Sequence, residues 1–235
     1  MDILLLILGT LSGVCIGTGL IYLFTGLRRP GGDWLHLSFA LFALAYSGAN
    51  ITSILEYKTT SLEAFMRLSD WTALFTGLTL ILLLWFVAFY TRVQPRIFMV
   101  ALTAIISLVV LAAIFRTNSI HTEIIGIYGV TLPWGETIVR LDATESIWGI
   151  IFFLSEITLV GYLIYACVQQ YRSGQRRDAL VLGFGLLFLM MDLIFDIFFI
   201  DSGALNFVYL GDYGFIPLLI VMSLQLANKV ILTEE

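Results

Sequence analysis

Apolar stretches about 20 residues long recur along this chain and are separated by short polar turns. An α-helix rises about 1.5 Å per residue, so a stretch of this length crosses the hydrocarbon core of a bilayer. The pattern predicts seven transmembrane helices, with bounds 3–27, 34–55, 71–91, 97–115, 147–168, 179–200 and 208–229. The fold class expected for residues 1–235 is a single all-α integral membrane domain, a seven-transmembrane helix bundle.

The longest break between apolar stretches is the segment 116–145, which follows the fourth predicted helix. Glu123–Leu132 and Thr137–Leu141 are rich in β-branched residues and flank the turn Pro133–Glu136. This arrangement predicts a small two-stranded β-hairpin. Because a lone hairpin is marginally stable in water, we expect it to lie on the bundle as a lid, with Trp134 plugging the outer mouth. A purely structural cap is the open alternative.

Composition supports the membrane assignment and argues against a nucleic-acid-binding protein. The chain is 60% hydrophobic and 12% charged, unlike the balance of soluble domains. Its formal net charge is −5 and it has no basic stripe, so nucleic acid is excluded as a partner. The lipid bilayer is the predicted environment. Both cysteines, Cys15 and Cys167, lie in apolar stretches and are expected to pack as small hydrophobes.

The distribution of basic residues predicts how the bundle is oriented. Most of them fall on one side of it: Arg28, Arg29, Arg92, Arg96, Arg172, Arg176, Arg177 and Lys229. Basic residues favour the cytoplasmic side, so the N-terminus is expected outside and the C-terminus in the cytoplasm. The outer side is acidic, which would favour cations or protons over anions. An ordinary solvated rim is the alternative interpretation of these acids.

Ionisable residues inside apolar stretches are the main functional candidates, because such residues are costly at membrane depth. Asp192 and Asp196 lie one turn apart on the sixth helix, and Glu156 lies near the middle of the fifth. Asp212 is near the outer end of the seventh helix, and Asn50 lies in the outer third of the second. Their depths predict one shared cavity in the outer half of the bundle. The hairpin turn adds two further candidate ligand-binding residues: Trp134 and Glu136.

These groups suit binding better than catalysis. Proton sensing, cation binding or recognition of an amine or a hydroxyl would use them, and hydrogen bonds that only fix the packing are the alternative. The two histidines, His36 and His121, are too few and too far apart for a zinc hydrolase. No serine nucleophile motif is present, and no lysine lies mid-membrane to anchor retinal. We expect no enzyme activity, metal or cofactor in this chain.

Two small features predict details of packing. Gly9, Gly13 and Gly17 form a stripe of small residues on the first helix that permits close helix contact. We expect an intrachain contact there, with a homodimer face as the alternative. Pro217 should kink the seventh helix.

Three short motifs carry a family resemblance. Leu132–Glu136, Tyr171–Leu180 and Gly214–Ala227 resemble parts of the N-terminal seven-transmembrane sensor region of bacterial membrane histidine kinases, a region also found on some diguanylate cyclases. The resemblance implies a sensor in the bacterial inner membrane and a homodimer in the full-length protein. It also implies a cytoplasmic kinase or cyclase output, which this chain does not contain.

The leading functional hypothesis is therefore a signal-sensing receptor domain. A small molecule, ion or lipid would bind in the outer half of the bundle and act through the sixth and seventh helices. The alternatives are a small proton-coupled carrier that uses the same carboxylates, and a structural partner subunit. No convincing internal repeat supports the carrier.

Overall fold

A computed structural model describes residues 3–28, 33–115, 120–201 and 203–234. This part of the chain forms seven α-helices and one β-hairpin, which confirms the predicted fold class. Six of the helices are long and apolar enough to span a membrane, and the seventh has a shorter apolar stretch, Tyr213–Ala227. The helices are α1 Ile3–Arg28, α2 Trp34–Lys58, α3 Leu62–Thr91, α4 Arg96–Phe115, α5 Ile147–Arg172, α6 Arg176–Phe195 and α7 Gly211–Glu234.

Helix α3 begins at Leu62, well before the start at residue 71 that hydropathy predicts. Ser61 caps it, because the Ser61 hydroxyl accepts a hydrogen bond from the backbone N–H of Ala64 at 3.2 Å. Glu63 and Arg67, one turn apart, form an exposed ion pair at 2.5 Å. These polar residues give the first turns of α3 the appearance of a loop in sequence.

The connection from α6 to α7 is irregular. Helix α6 continues into a π-helical turn, Asp196–Asp201, and α7 then begins at Gly211, three residues after its predicted start. Pro217 lies inside α7, where it has no N–H to donate to the preceding turn. The π-helical turn lies at the end of the bundle that carries the hairpin, which we call the hairpin end.

The hairpin pairs β1, His121–Thr131, with β2, Thr137–Glu145, in antiparallel register. This confirms the predicted hairpin, whose strands begin or end a few residues beyond the predicted bounds. The register shifts between Thr122 and Gly126, so β1 contains a bulge. A small apolar cluster fixes the hairpin on the bundle; its members include Leu4, Leu8, Tyr57, Val130, Leu132, Ile138 and Val208.

The main apolar core fills the opposite half of the bundle. Phe39, Phe42 and Phe86 are fully buried there, and the rings of Phe42 and Phe86 stack with centroids 6.5 Å apart. Tyr46 and Phe215 extend this aromatic cluster toward the hairpin end. Beyond them the helices enclose a cavity instead of a packed core.

The glycine stripe of α1 points away from the bundle. A Cβ built at Gly9, Gly13 or Gly17 would have no described atom within 4 Å, so the predicted intrachain contact is wrong. Close contact with α2 instead occurs at Gly19, where a Cβ would lie 2.7 Å from Leu44 Cγ. The glycine spacing indicated a close contact without showing which face of the helix would make it.

Candidate functional site

A cavity of about 570 Å³ lies at the hairpin end, between α2, α3, α5, α6 and α7 and beneath β2. Four of the residues expected to converge there do so: Asn50, Glu156, Asp192 and Asp196 all line it. The side chain of Asp212, the fifth, lies outside the described residues. Strand β2 covers the cavity with a run of residues that includes Val139, Arg140, Leu141, Ala143 and Glu145.

Asn50 is the most unusual group in the lining. Its side chain is 1% exposed, yet neither its amide nitrogen nor its amide oxygen has a hydrogen-bond partner among the described residues. Leaving a buried amide unpaired costs about 1–3 kcal/mol per group. An amide held this way can both donate to and accept from a molecule in the cavity.

The two aspartates of α6 have different surroundings. The Asp196 carboxylate accepts hydrogen bonds from the backbone N–H groups of Leu210 and Gly211, both at 2.7 Å. It therefore sits at the N-terminus of α7, where negative charge is favourable. Asp192, one turn deeper, makes no hydrogen bond or ion pair within the described structure and lies against Gly214, whose missing side chain leaves room for it.

Glu156 resembles Asp192 in this respect. It lines the cavity from α5, is partly buried, and forms no hydrogen bond or ion pair with any residue that the structure describes. Glu145, at the end of β2, is a charged neighbour of Glu156. Glu156 and Asp192 therefore present carboxylates to the cavity from two different helices.

The hairpin turn does not reach this cavity, so the prediction that Trp134 plugs the mouth is wrong. Trp134 packs edge-on against Phe207 and lines a separate apolar groove of about 420 Å³ near the start of α1. Its indole N–H donates to the Glu136 carboxylate at 3.0 Å. The turn motif predicts a hairpin from the sequence, but it does not predict which face of that hairpin packs against the bundle.

Glu136 joins the hairpin to two helices. Its carboxylate accepts from Lys58 Nζ at 2.6 Å and from the backbone N–H of Leu4 at 3.2 Å. Partial burial alone would raise the pKa of Glu136, but the hydrogen bonds from Lys58, Trp134 and Leu4 outweigh it and hold the pKa below its usual value. Glu136 therefore serves as a fastening of the hairpin and not as part of the cavity lining.

Arg140 is the most important lining residue that the sequence reading did not select. It is 8% exposed, donates a hydrogen bond to the carbonyl of Phe207, and lies with its guanidinium carbon 4.9 Å above the ring of Tyr209. The period of two along β2 places Arg140 on the same face as the fully buried Ile138, which was the available signal.

Further polar lining comes from α3 and β1. Thr72, Thr76 and Thr79 present hydroxyl groups from one face of α3, and His121 lies at the start of β1. Burial lowers the pKa of His121, which favours the neutral imidazole. Among the described residues no three His, Cys, Asp or Glu side chains come together to hold a metal ion.

Comparison with protein families gives the decisive match. The family described as the N-terminal 7TM region of histidine kinase matches residues 8–228, almost the whole chain. The chain belongs to this family. It is accordingly a multi-pass membrane protein and a sensor region, not a catalytic domain. No characterised protein matches the chain significantly.

Proposed function

We propose that this 7TM sensor region binds a small ligand in the hairpin-end cavity and transmits the binding event through α6 and α7. The observation that carries the proposal is the cavity, which is lined by the unpaired amide of Asn50 and by the carboxylates of Glu156 and Asp192. Its volume of about 570 Å³ lies within the range of small-molecule sites. Polar groups placed in a largely apolar cavity are what such a site uses to orient a ligand.

Contacts between α6 and α7 support the route of transmission. At the hairpin end, Asp196 of α6 binds the first turn of α7. At the opposite end, the side-chain amide of Gln225 donates to the Asp178 carboxylate at 2.6 Å. Because the two helices are joined at both ends, a displacement of α6 at the cavity is carried along α7. Phe215 adds a direct link, since it lines the cavity and contacts Tyr46.

The output would be a kinase or cyclase domain in the cytoplasm. The hairpin end would face outward and the α7 C-terminus inward, in the bacterial inner membrane, as the basic residues favour. Ligand binding then shifts the balance between two helix arrangements by its differential affinity for them. The carrier alternative has no feature of the described fold in its favour.

A homodimer is the assembly that fits such an output. The outward stripe of Gly9, Gly13 and Gly17 permits close approach of two α1 helices. Disulfide crosslinking tests this arrangement: Gly13→Cys should crosslink two copies efficiently in membranes, and the outward-facing Gly161→Cys of α5 is the control. Equal crosslinking at both positions would argue against α1 as the interface.

The cavity itself is tested by filling it in the full-length kinase. Thr76→Phe places a ring in the cavity, whereas Thr158→Phe makes the same change on the exposed face of α5. A filled cavity should favour one arrangement, so Thr76→Phe is expected to change autophosphorylation in membranes at least about 5-fold. Thr158→Phe should leave it unchanged. Unchanged output from both Thr76→Phe and the double variant Asp192→Asn with Asp196→Asn would overturn the proposal.

A further inference from the structure

We propose that the molecule recognised in this cavity is a protonated amine with an apolar body. The inference rests on the proposed function, because it names the chemical class of that same site. Three properties of the lining carry it: which polar groups are already paired, the sign of the lining charge, and the aromatic and leucine side chains one helical turn deeper.

The polar groups of the cavity divide into paired and unpaired sets. Asp196 binds the start of α7, and Glu56 accepts a hydrogen bond from Thr72. Arg140 donates to the Phe207 carbonyl and lies over the Tyr209 ring, while its Nε has no hydrogen-bond partner among the described residues. Within the described residues, three groups that line the cavity deep in the bundle have no such partner: Asn50, Glu156 and Asp192.

The sign of the charge favours a cation. Five acidic residues among those described line the cavity, and Arg140 is the one lysine or arginine there. The acidic residues are Glu56, Glu145, Glu156, Asp192 and Asp196. Arg140 is engaged by Phe207 and Tyr209 in the chain before α7, and among the described residues it forms no ion pair with the deeper carboxylates. An anion would meet unpaired carboxylates, whereas an ammonium group satisfies them with charge-assisted hydrogen bonds.

The three unpaired groups lie at one depth. Asn50 is 58 − 50 = 8 residues from the hairpin end of α2, and Glu156 is 156 − 147 = 9 residues from that end of α5. Asp192 is 201 − 192 = 9 residues from the end of the π-helical turn. At about 1.5 Å per residue of α-helix, Asn50 and Glu156 lie about 12–14 Å below the hairpin end, and Asp192 lies a similar number of residues from it. Three helices therefore contribute to one polar layer.

One helical turn deeper on these three helices, an aromatic ring and two leucines line the cavity. Tyr46 lies four residues before Asn50, Leu159 three residues after Glu156, and Leu189 three residues before Asp192. All three of these deeper residues line the cavity, and the Phe215 ring completes its floor. An amine in the polar layer would therefore place its hydrocarbon part on this floor. Aromatic rings at this position also attract an ammonium group through their faces.

Size and ligand type separate an organic amine from a bare metal ion. A cavity of about 570 Å³ accommodates a small organic molecule, and the described residues include no cluster of three metal-ligating side chains. The amide of Asn50 supplies an acceptor for an ammonium N–H and a donor for a neighbouring hydroxyl or carbonyl of the same molecule.

Binding to the purified 235-residue chain in lipid nanodiscs tests the ligand class. The probes are phenethylamine, its neutral analogue 2-phenylethanol and the anion 3-phenylpropanoate, measured by isothermal titration calorimetry against empty nanodiscs. Phenethylamine should bind saturably and at least about 10-fold more tightly than 2-phenylethanol, with 3-phenylpropanoate weaker still. Thr76→Phe should remove this saturable binding.

Variants that each remove one negative charge test which carboxylates cause the preference for the amine. Asp192→Asn and Glu156→Gln should each reduce the preference for phenethylamine over 2-phenylethanol about 10-fold. Asp142→Asn removes the same charge from an exposed hairpin position outside the cavity and should retain the preference. The thermal unfolding midpoint of each variant, held near that of the wild type, shows that it is folded.

Two results would overturn the inference while leaving the proposed function intact. One is equal affinity for the amine and the alcohol, and the other is an amine preference that Asp192→Asn and Glu156→Gln leave unchanged. Failure of the proposed function is a separate observation, because it is read from autophosphorylation of the full-length kinase after cavity filling.

Discussion

The two halves of the bundle use the same helices but are packed in different ways. In the half opposite the hairpin, aromatic and aliphatic side chains close the interior, with Phe39, Phe42 and Phe86 fully buried. At the hairpin end, α3 presents threonines and α5 and α6 present carboxylates, and a cavity remains. The difference shows that hydropathy marks a helix as membrane-spanning but does not decide whether its interior face is filled.

Glycines show the same contrast at atomic scale. A Cβ on Gly185 would lie 2.6 Å from Leu218 Cδ1 in the packed half, so α6 and α7 touch through apolar atoms there. Nearer the hairpin, a Cβ on Gly214 would lie 2.3 Å from a carboxylate oxygen of Asp192. Helices α6 and α7 therefore approach closely at two levels. The contact is apolar at Gly185 and involves the Asp192 carboxylate at Gly214.

The largest expected effect comes from overfilling the packed half. Gly185→Leu must displace the backbone of α7, because a Cβ alone would lie 3.0 Å from Leu218 Cα. We expect a loss of about 3 kcal/mol or more in stability, seen as a lower unfolding midpoint in detergent. Gly161→Leu, where a Cβ would have no described atom within 4 Å, is the matched control and should be near neutral. Similar midpoints for both variants would contradict the close packing described for this half.

Removing the buried cation tests how the hairpin is held over the cavity. Arg140→Met keeps the apolar stem but removes the hydrogen bond to the Phe207 carbonyl, at a cost of about 1–3 kcal/mol. Hydrogen exchange should become faster in β1 and β2 while the helices keep their protection. Arg67→Met, at an exposed pair with Glu63, is the control and should not change hairpin exchange. Unaltered hairpin exchange in Arg140→Met would show that the apolar cluster alone holds the hairpin.

The two aspartates of α6 offer a sharper test within the cavity. Asp196→Ala leaves the N–H groups of Leu210 and Gly211 without their acceptor and should cost about 1 kcal/mol. Asp192→Ala removes a carboxylate with no described partner and should not lower the unfolding midpoint. Equal losses in the two variants would mean that Asp192 also has a packing role.

The smallest expected effect is a pH dependence at the hairpin turn. Because the folded state lowers the pKa of Glu136, its contribution to stability is present above the unfolded pKa of about 4.3. That contribution is lost as pH falls through the lower folded pKa. Thermal unfolding between pH 7 and pH 3 should therefore show a steeper acid loss for the wild type than for Glu136→Gln. Glu123→Gln, elsewhere on the hairpin, should follow the wild type, and a profile unchanged by Glu136→Gln would contradict the assignment.

Sequence reasoning succeeded where a property repeats along the chain. Apolar length predicts the helices, and depth counting predicts that Asn50, Glu156, Asp192 and Asp196 share a cavity, because helical rise is regular. It failed at positions decided by tertiary contacts. The pair between Lys58 and Glu136 joins residues 78 apart, and no local pattern carries that information.

The same limit explains the errors on individual faces. Arg140 was not among the predicted site residues: the period of two along β2 places it on the same face as Ile138, but the packing of the hairpin on the bundle decides that this face is buried. Trp134 was placed at the outer mouth because the sequence predicts the turn that carries it but not the orientation of the hairpin on the bundle. Asp192 and Asp196 are indistinguishable in sequence, and the chain before α7 is what separates them.

Pro217 gives α7 an uneven stiffness along its length. Proline has no N–H, so α7 lacks the backbone hydrogen bond that residue 217 would donate to the preceding turn. Pro217 lies between Phe215, which lines the cavity, and Leu218, which lies in the packed half. Bending at Pro217 therefore breaks one backbone hydrogen bond fewer than bending at a position with its full complement. The segment Gly211–Ile216 is thus able to bend as a unit relative to the rest of α7, at the level where the cavity ends and the packed core begins.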